Sequence, residues 1–119
     1  MQKKEILIIG RNAEILETVI RLINNNPEWN GTGAGTDEEA IEKFHRQHID
    51  IVLLTNGISG DEETKLRKIF VHQNNDIIII QHYGGGSGLL SNEIREALDN
   101  FRAAGRSSYT FKDDVFKKG

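Results

Sequence analysis

The runs "EILII" (5–9), "DIVLL" (50–54) and "DIIII" (76–80) are apolar at consecutive positions. Side chains along a strand point alternately to opposite faces, so a strand apolar at every position must be covered on both sides. The segments between these runs have a different period. From Asn12 a helix is predicted with Leu16, Val19, Ile20 and Ile23 on one face, and "NNNPEW" ends it. A second helix starts at Asp37 with Ala40, Ile41 and Phe44 inward. A third runs over 61–73 with Leu66, Ile69 and Phe70, and a fourth over 89–104 with Leu90, Ile94, Ala97, Leu98 and Phe101. "WNGTGAGT" (29–36) reads as a glycine-rich second strand and "SSYTF" (107–111) as a fifth. Strand and helix alternate throughout, which predicts an α/β fold: a doubly wound parallel sheet with helices on both faces.

A chain of 119 residues suits a single domain, 1–119, with one core. Its formal charge of −3 offers no basic footprint for nucleic acid. Without cysteine there is neither disulfide nor thiolate chemistry, and a reducing cytosol is the natural setting. The apolar stretch in "MQKKEILIIG" is too short for a secretory leader, and no run reaches membrane length. We therefore expect a cytoplasmic protein with no nucleic-acid or membrane partner.

Four stretches, in order, resemble the receiver domain of two-component response regulators, a flavodoxin-like fold. "KEILIIGRNAEILETVIRLI" resembles its first strand and helix, and "WNGTGAGTDEEAIEKF" its second pair. "IDIVLLTNGISGDEE" resembles the third strand with its loop, and "AAGRSSYTFKDD" the glycine-led fifth strand ending in lysine. The resemblance spans about residues 3 to 113 and implies a five-stranded parallel sheet.

The chain departs from that family where its chemistry resides. Receivers accept a phosphoryl group on an aspartate ending strand 3, and Thr55 stands there. Acidic residues ending strand 1 hold magnesium, and Gly10 and Arg11 stand there. The hydroxyl residue ending strand 4 is replaced by Gln81. The lysine is kept as Lys112, with Tyr109 at the place of the switch aromatic. An acyl phosphate needs a carboxylate, magnesium wants hard oxygen ligands, and Arg11 carries a permanent positive charge. Asp61 and Glu62 in the next loop are the remaining candidates for rebuilding a metal site. The residues thus predict a degenerate pseudo-receiver: no catalytic residues, no metal, no cofactor, and no enzyme.

A second reading concerns "GGGSG" after strand 4. Backbone N–H groups at a helix start favour anions, and ligands of doubly wound sheets sit beyond the carboxyl ends of the strands. Arg11, His82, Gly84, Gly85, Gly86, Ser87, Gly88 and Lys112 would form such a phosphate- or nucleotide-binding site, with Thr55, Asn56 and Gln81 in a neutral-to-basic pocket. The loop matches no Walker motif, and no acidic residue for a ribose follows at suitable spacing. His45 and His48 lie one helical turn apart on a polar face, a pattern usual at surfaces. Tyr83 follows His82 into the pocket region, Ser87 and Ser91 lack a partnering histidine and acid, and Trp29 is expected to pack.

A receiver ends on a fifth helix beside the first, but only "DDVFKKG" follows Lys112. The final helix is therefore expected to be short or absent. One sheet face would be covered mainly by helix 1, leaving apolar surface near strand 5. This predicts a domain acting by protein–protein contact, with itself as a homodimer or with a sensor or regulator protein. The dimer interface would include helix 1 or strand 5 and the tail with Val115 and Phe116. No output domain follows in the sequence, so a stand-alone adaptor or competitor is expected.

Overall fold

The computed structural model describes residues 3–55, 57–82 and 87–103, with side chains described for all of these except 87–89, 102 and 103. Its elements are β1 (Lys4–Ile9), α1 (Ala13–Asn24), β2 (Trp29–Ala34), α2 (Asp37–Arg46), β3 (Ile51–Leu54), α3 (Gly60–Gln73), β4 (Ile78–Gln81) and α4 (Ser87–Ala103). The strands form a parallel sheet in the order β2-β1-β3-β4. β1 is central, with Lys4 to Ile9 beside Trp29 to Ala34 and Ile6 to Ile9 beside Ile51 to Leu54. β4 continues outward, with Ile51 to Leu54 beside Ile78 to Gln81. This is the expected flavodoxin-like, doubly wound arrangement. The predicted fifth strand, with Tyr109 and Lys112, and the tail lie outside the described residues.

The apolar runs form the sheet because every side chain from Ile6 to Ile9 and from Ile51 to Leu54 is buried. Leu7, Ile9, Val52 and Leu54 meet Ala40 and Phe44 of α2 and Leu66 and Phe70 of α3. The Phe44 and Phe70 rings lie 4.5 Å apart, centroid to centroid, and join these two helices. Ile6, Ile8, Ile51 and Leu53 meet Val19 and Ile23 of α1, Trp29, and Leu90 and Ile94 of α4. β2 tolerates so many glycines because α1 lies directly on it. A Cβ at Gly33 would collide with the Ile20 side chain.

The placement of α4 corrects one expectation. Right-handed crossovers put α1 on one face and α2 and α3 on the other, because the chain runs from β1 to β2 in one direction and then back across the sheet. The helix after β4 packs on the α1 face, through Leu90, Ile94 and the half-buried Leu98. The guanidinium of Arg95 also lies 5.7 Å from the centre of the Trp29 ring. That face is thus shared by two helices and is not left to helix 1 alone.

Helix starts are well determined at the carboxyl edge of the sheet. Asn12 accepts a hydrogen bond from the Ile15 N–H, and Thr36 accepts one from the Glu39 N–H. Ser59 and Glu62 form a reciprocal capping box. α3 consequently begins at Gly60, one residue earlier than the periodicity indicated. α4 begins at Ser87, so Ser87 and Gly88 are helical rather than part of the preceding loop.

Candidate functional site

Parallel strands bring the ends of β1, β3 and β4 to one edge, where Gly10, Arg11, Thr55, Gln81 and His82 fall. Thr55 is almost wholly buried (1% exposed). Its backbone N–H and its hydroxyl both donate to the Ile9 carbonyl, each at 2.9 Å. Gly10 is required by this arrangement, since a Cβ there would overlap the Thr55 hydroxyl oxygen. The two positions are complementary in size: the space that a side chain ending β1 would use is filled from β3.

Arg11 turns toward the α2–α3 side. Its Nη1 donates to the Gly35 carbonyl at 3.2 Å and its Nη2 to Asp37 Oδ1 at 2.5 Å. Glu62 Oε2 lies 3.5 Å from the same Nη2. Asp37 is the first residue of α2 and Glu62 belongs to the first turn of α3. One guanidinium therefore ties three segments together. Burial opposes its charge, but Asp37 and Glu62 outweigh that and raise its pKa above the ordinary arginine value. The backbone N–H of Ser59, followed by Arg11, holds the Glu62 carboxyl below the usual range. Glu39 is held low in the same way, first by the Gly35 N–H and then by Lys43. Two carboxylates answer the Arg11 charge, so the basic character expected of this pocket is largely cancelled on the α2–α3 side.

The other predicted residues are placed differently. His82 is buried, its N–H donates to the Leu54 carbonyl at 2.8 Å, and its Nδ1 lies 2.5 Å from Glu93 Oε1 of α4. It thus faces the α1–α4 side, opposite to Arg11. Gln81 is level with Leu54, and its side-chain oxygen is shielded from water with no hydrogen-bond partner. Gly84, Gly85, Gly86, Asn56, Tyr83, Tyr109 and Lys112 lie outside the described residues. His45 and His48 lie far from this edge, in an open cavity of about 640 Å³ that His72 also lines. His48 pairs with Asp50 at 2.8 Å. Sequence reasoning missed Asp37, Glu93 and the role of Glu62. Asp37 and Glu62 showed only as acidic residues in the first turns of helices. Glu93, beyond the first turn of α4, gave no local signal, since the partners of all three lie elsewhere along the chain.

The magnesium implied by the receiver resemblance does not fit these residues. A glycine and an arginine occupy the positions of its ligands, and the guanidinium has taken up the nearby carboxylates. Among the described residues no group of three or more histidine, cysteine or acidic side chains is arranged to hold a metal ion. No helix among them is long and apolar enough to cross a membrane.

No family model matches the chain, and no curated protein matches it. Solved structures do. The chain is similar to the signal receiver domain of an HD domain-containing protein from Pseudomonas fluorescens Pf-5, with a TM-score of 0.73 and 14% identity over 86% of this chain and 99% of that one. It is similar to a CheY-like response regulator receiver domain protein from Methanospirillum hungatei JF-1, with a TM-score of 0.61 and 17% identity over 97% and 85%. A response regulator receiver protein from Pseudomonas putida matches with a TM-score of 0.57 and 20% identity over 82% and 81%. The receiver fold is common to all three.

Proposed function

We propose that this chain, built on the receiver fold, is a non-catalytic signalling domain of a two-component-type pathway that acts through protein–protein contact. The observation that carries the reading is Thr55. It ends the strand on which a receiver bears its phosphoacceptor, it is buried, and its hydroxyl is committed to the Ile9 carbonyl. A hydroxyl so held is a poor nucleophile, and no base adjoins it among its hydrogen-bond partners. Arg11, engaged by Asp37 and Glu62, supports the same conclusion. The partner is a second copy of the chain or a sensor or regulator protein.

Backbone NMR spectra test this directly. Acetyl phosphate or beryllofluoride, each with magnesium, should leave the amide shifts around Thr55 unchanged, and a saturable, magnesium-dependent shift there would refute the reading. Sedimentation at micromolar concentration reports self-association. A clean monomer would remove the homodimer and leave the sensor or regulator partner.

One observation favours the anion-binding alternative. α4 follows β4 with no acidic residue in its first turn, so no carboxylate of that turn offsets its N-terminal dipole. Inorganic phosphate titrated in the same spectra should bind no more tightly than about millimolar, worth about 4 kcal/mol. Micromolar binding lost in Arg11→Ala would put this reading first.

A further inference from the structure

Three oxygens from two helix starts converge on the Arg11 guanidinium: the Gly35 carbonyl at 3.2 Å and Asp37 Oδ1 at 2.5 Å where α2 begins, and Glu62 Oε2 at 3.5 Å where α3 begins. Two of them belong to carboxylates at the starts of α2 and α3, and among the described residues the guanidinium carries the one positive charge that meets both. Two carboxylates and a carbonyl are also the ligand chemistry of a hard divalent cation. Without a cation between them the carboxylates repel, and the two helix starts lose their common tie. We propose that Arg11 is a tethered cation that does the mechanical work of a bound metal ion. It keeps the starts of α2 and α3 joined at all times, so the corner neither needs nor admits a divalent cation.

This inference stands whether or not the chain acts through a protein partner, because it concerns only what fills the corner. It differs from a merely structural ion pair in one respect: a free cation should substitute for the tethered one. Arg11→Gln keeps a donor near the Gly35 carbonyl and removes the charge, whereas Arg11→Lys keeps a charge on a flexible stem.

The test compares melting temperature with and without magnesium, and manganese-induced broadening of NMR amide signals, in the full chain. The native protein should show no saturable response to magnesium and no broadening localised at residues 35–37 and 62. Arg11→Gln should melt lower, recover part of the loss as magnesium is added, and show manganese broadening at those residues. The recovery should vanish in Arg11→Gln combined with Asp37→Asn, and Arg11→Lys should stay insensitive to magnesium. The proposal is overturned if magnesium stabilises the native chain or Arg11→Lys. It is also overturned if Arg11→Gln, folded or not, gains nothing from the ion.

Discussion

The ends of β3 and β4 lie side by side, yet they are finished in opposite ways. Every residue from Ile51 to Thr55 is buried, and the Thr55 hydroxyl has a partner. Every residue from Ile78 to Gln81 is only half-buried, and the Gln81 oxygen has no partner. Beyond β3 the chain has closed its edge with its own groups: Gly10 makes room, Thr55 fills it, and Arg11 bridges two helices. Beyond β4, among the described residues, closure comes from α4, held by His82 against Glu93 and by Leu90 and Ile94 against the sheet. Charge and hydroxyl are thus used up at the first end, whereas at the second a buried amide oxygen is left without a partner.

The contrast is broken most directly by loosening α4. Ile94 is fully buried, so Ile94→Ala should cost about 2–5 kcal/mol in urea unfolding. A loss well below that would show that α4 is not an integral part of the core. Gly10→Ala should cost about 1–3 kcal/mol by overpacking against Thr55. Combining it with Thr55→Ala should cost less than the sum of the two single changes, and strict additivity would mean that the positions are not complementary. The smallest effect concerns pH. Glu39 and Glu62 have lowered carboxyl pKa values in the folded state. Their contribution is fully present above the ordinary carboxylate pKa of about 4.3 and is lost as pH falls through their folded values. The melting temperature should therefore fall on acidification below that point, and less steeply in Glu62→Gln, whereas equal slopes would exclude the contribution.

The sheet was legible because β1 and β3 are apolar at successive positions, a pattern that only two-sided cover satisfies. α1, α2 and α3 were legible through their period, to within a residue or so. The face taken by α4 was not, because Leu90, Ile94 and Leu98 form one apolar stripe that suits either side of the sheet. At the edge, Gly10 and Thr55 were each read as the loss of a functional side chain. Their fit to one another appears only when the strands are set side by side. The partners of Arg11 were hidden for a similar reason: 26 residues separate it from Asp37, and nothing local marks the pair.

The central place of β1 also bears on how the chain finds its fold. β1 must capture one neighbour across 25 residues, from Glu5 to Asn30, and another across 45, from Glu5 to Asp50. The entropic difference between these closures is only about 0.5 kcal/mol, so distance alone barely ranks them. The nearer partner has a further advantage: α1 lies in the intervening segment and packs on both strands, and the β1–β2 register runs from Lys4 to Ile9 where the β1–β3 register starts only at Ile6. Assembly should therefore start from the β1–α1–β2 unit and spread across β3 to β4, making half-buried β4 the last of the described strands to lock and the first to release.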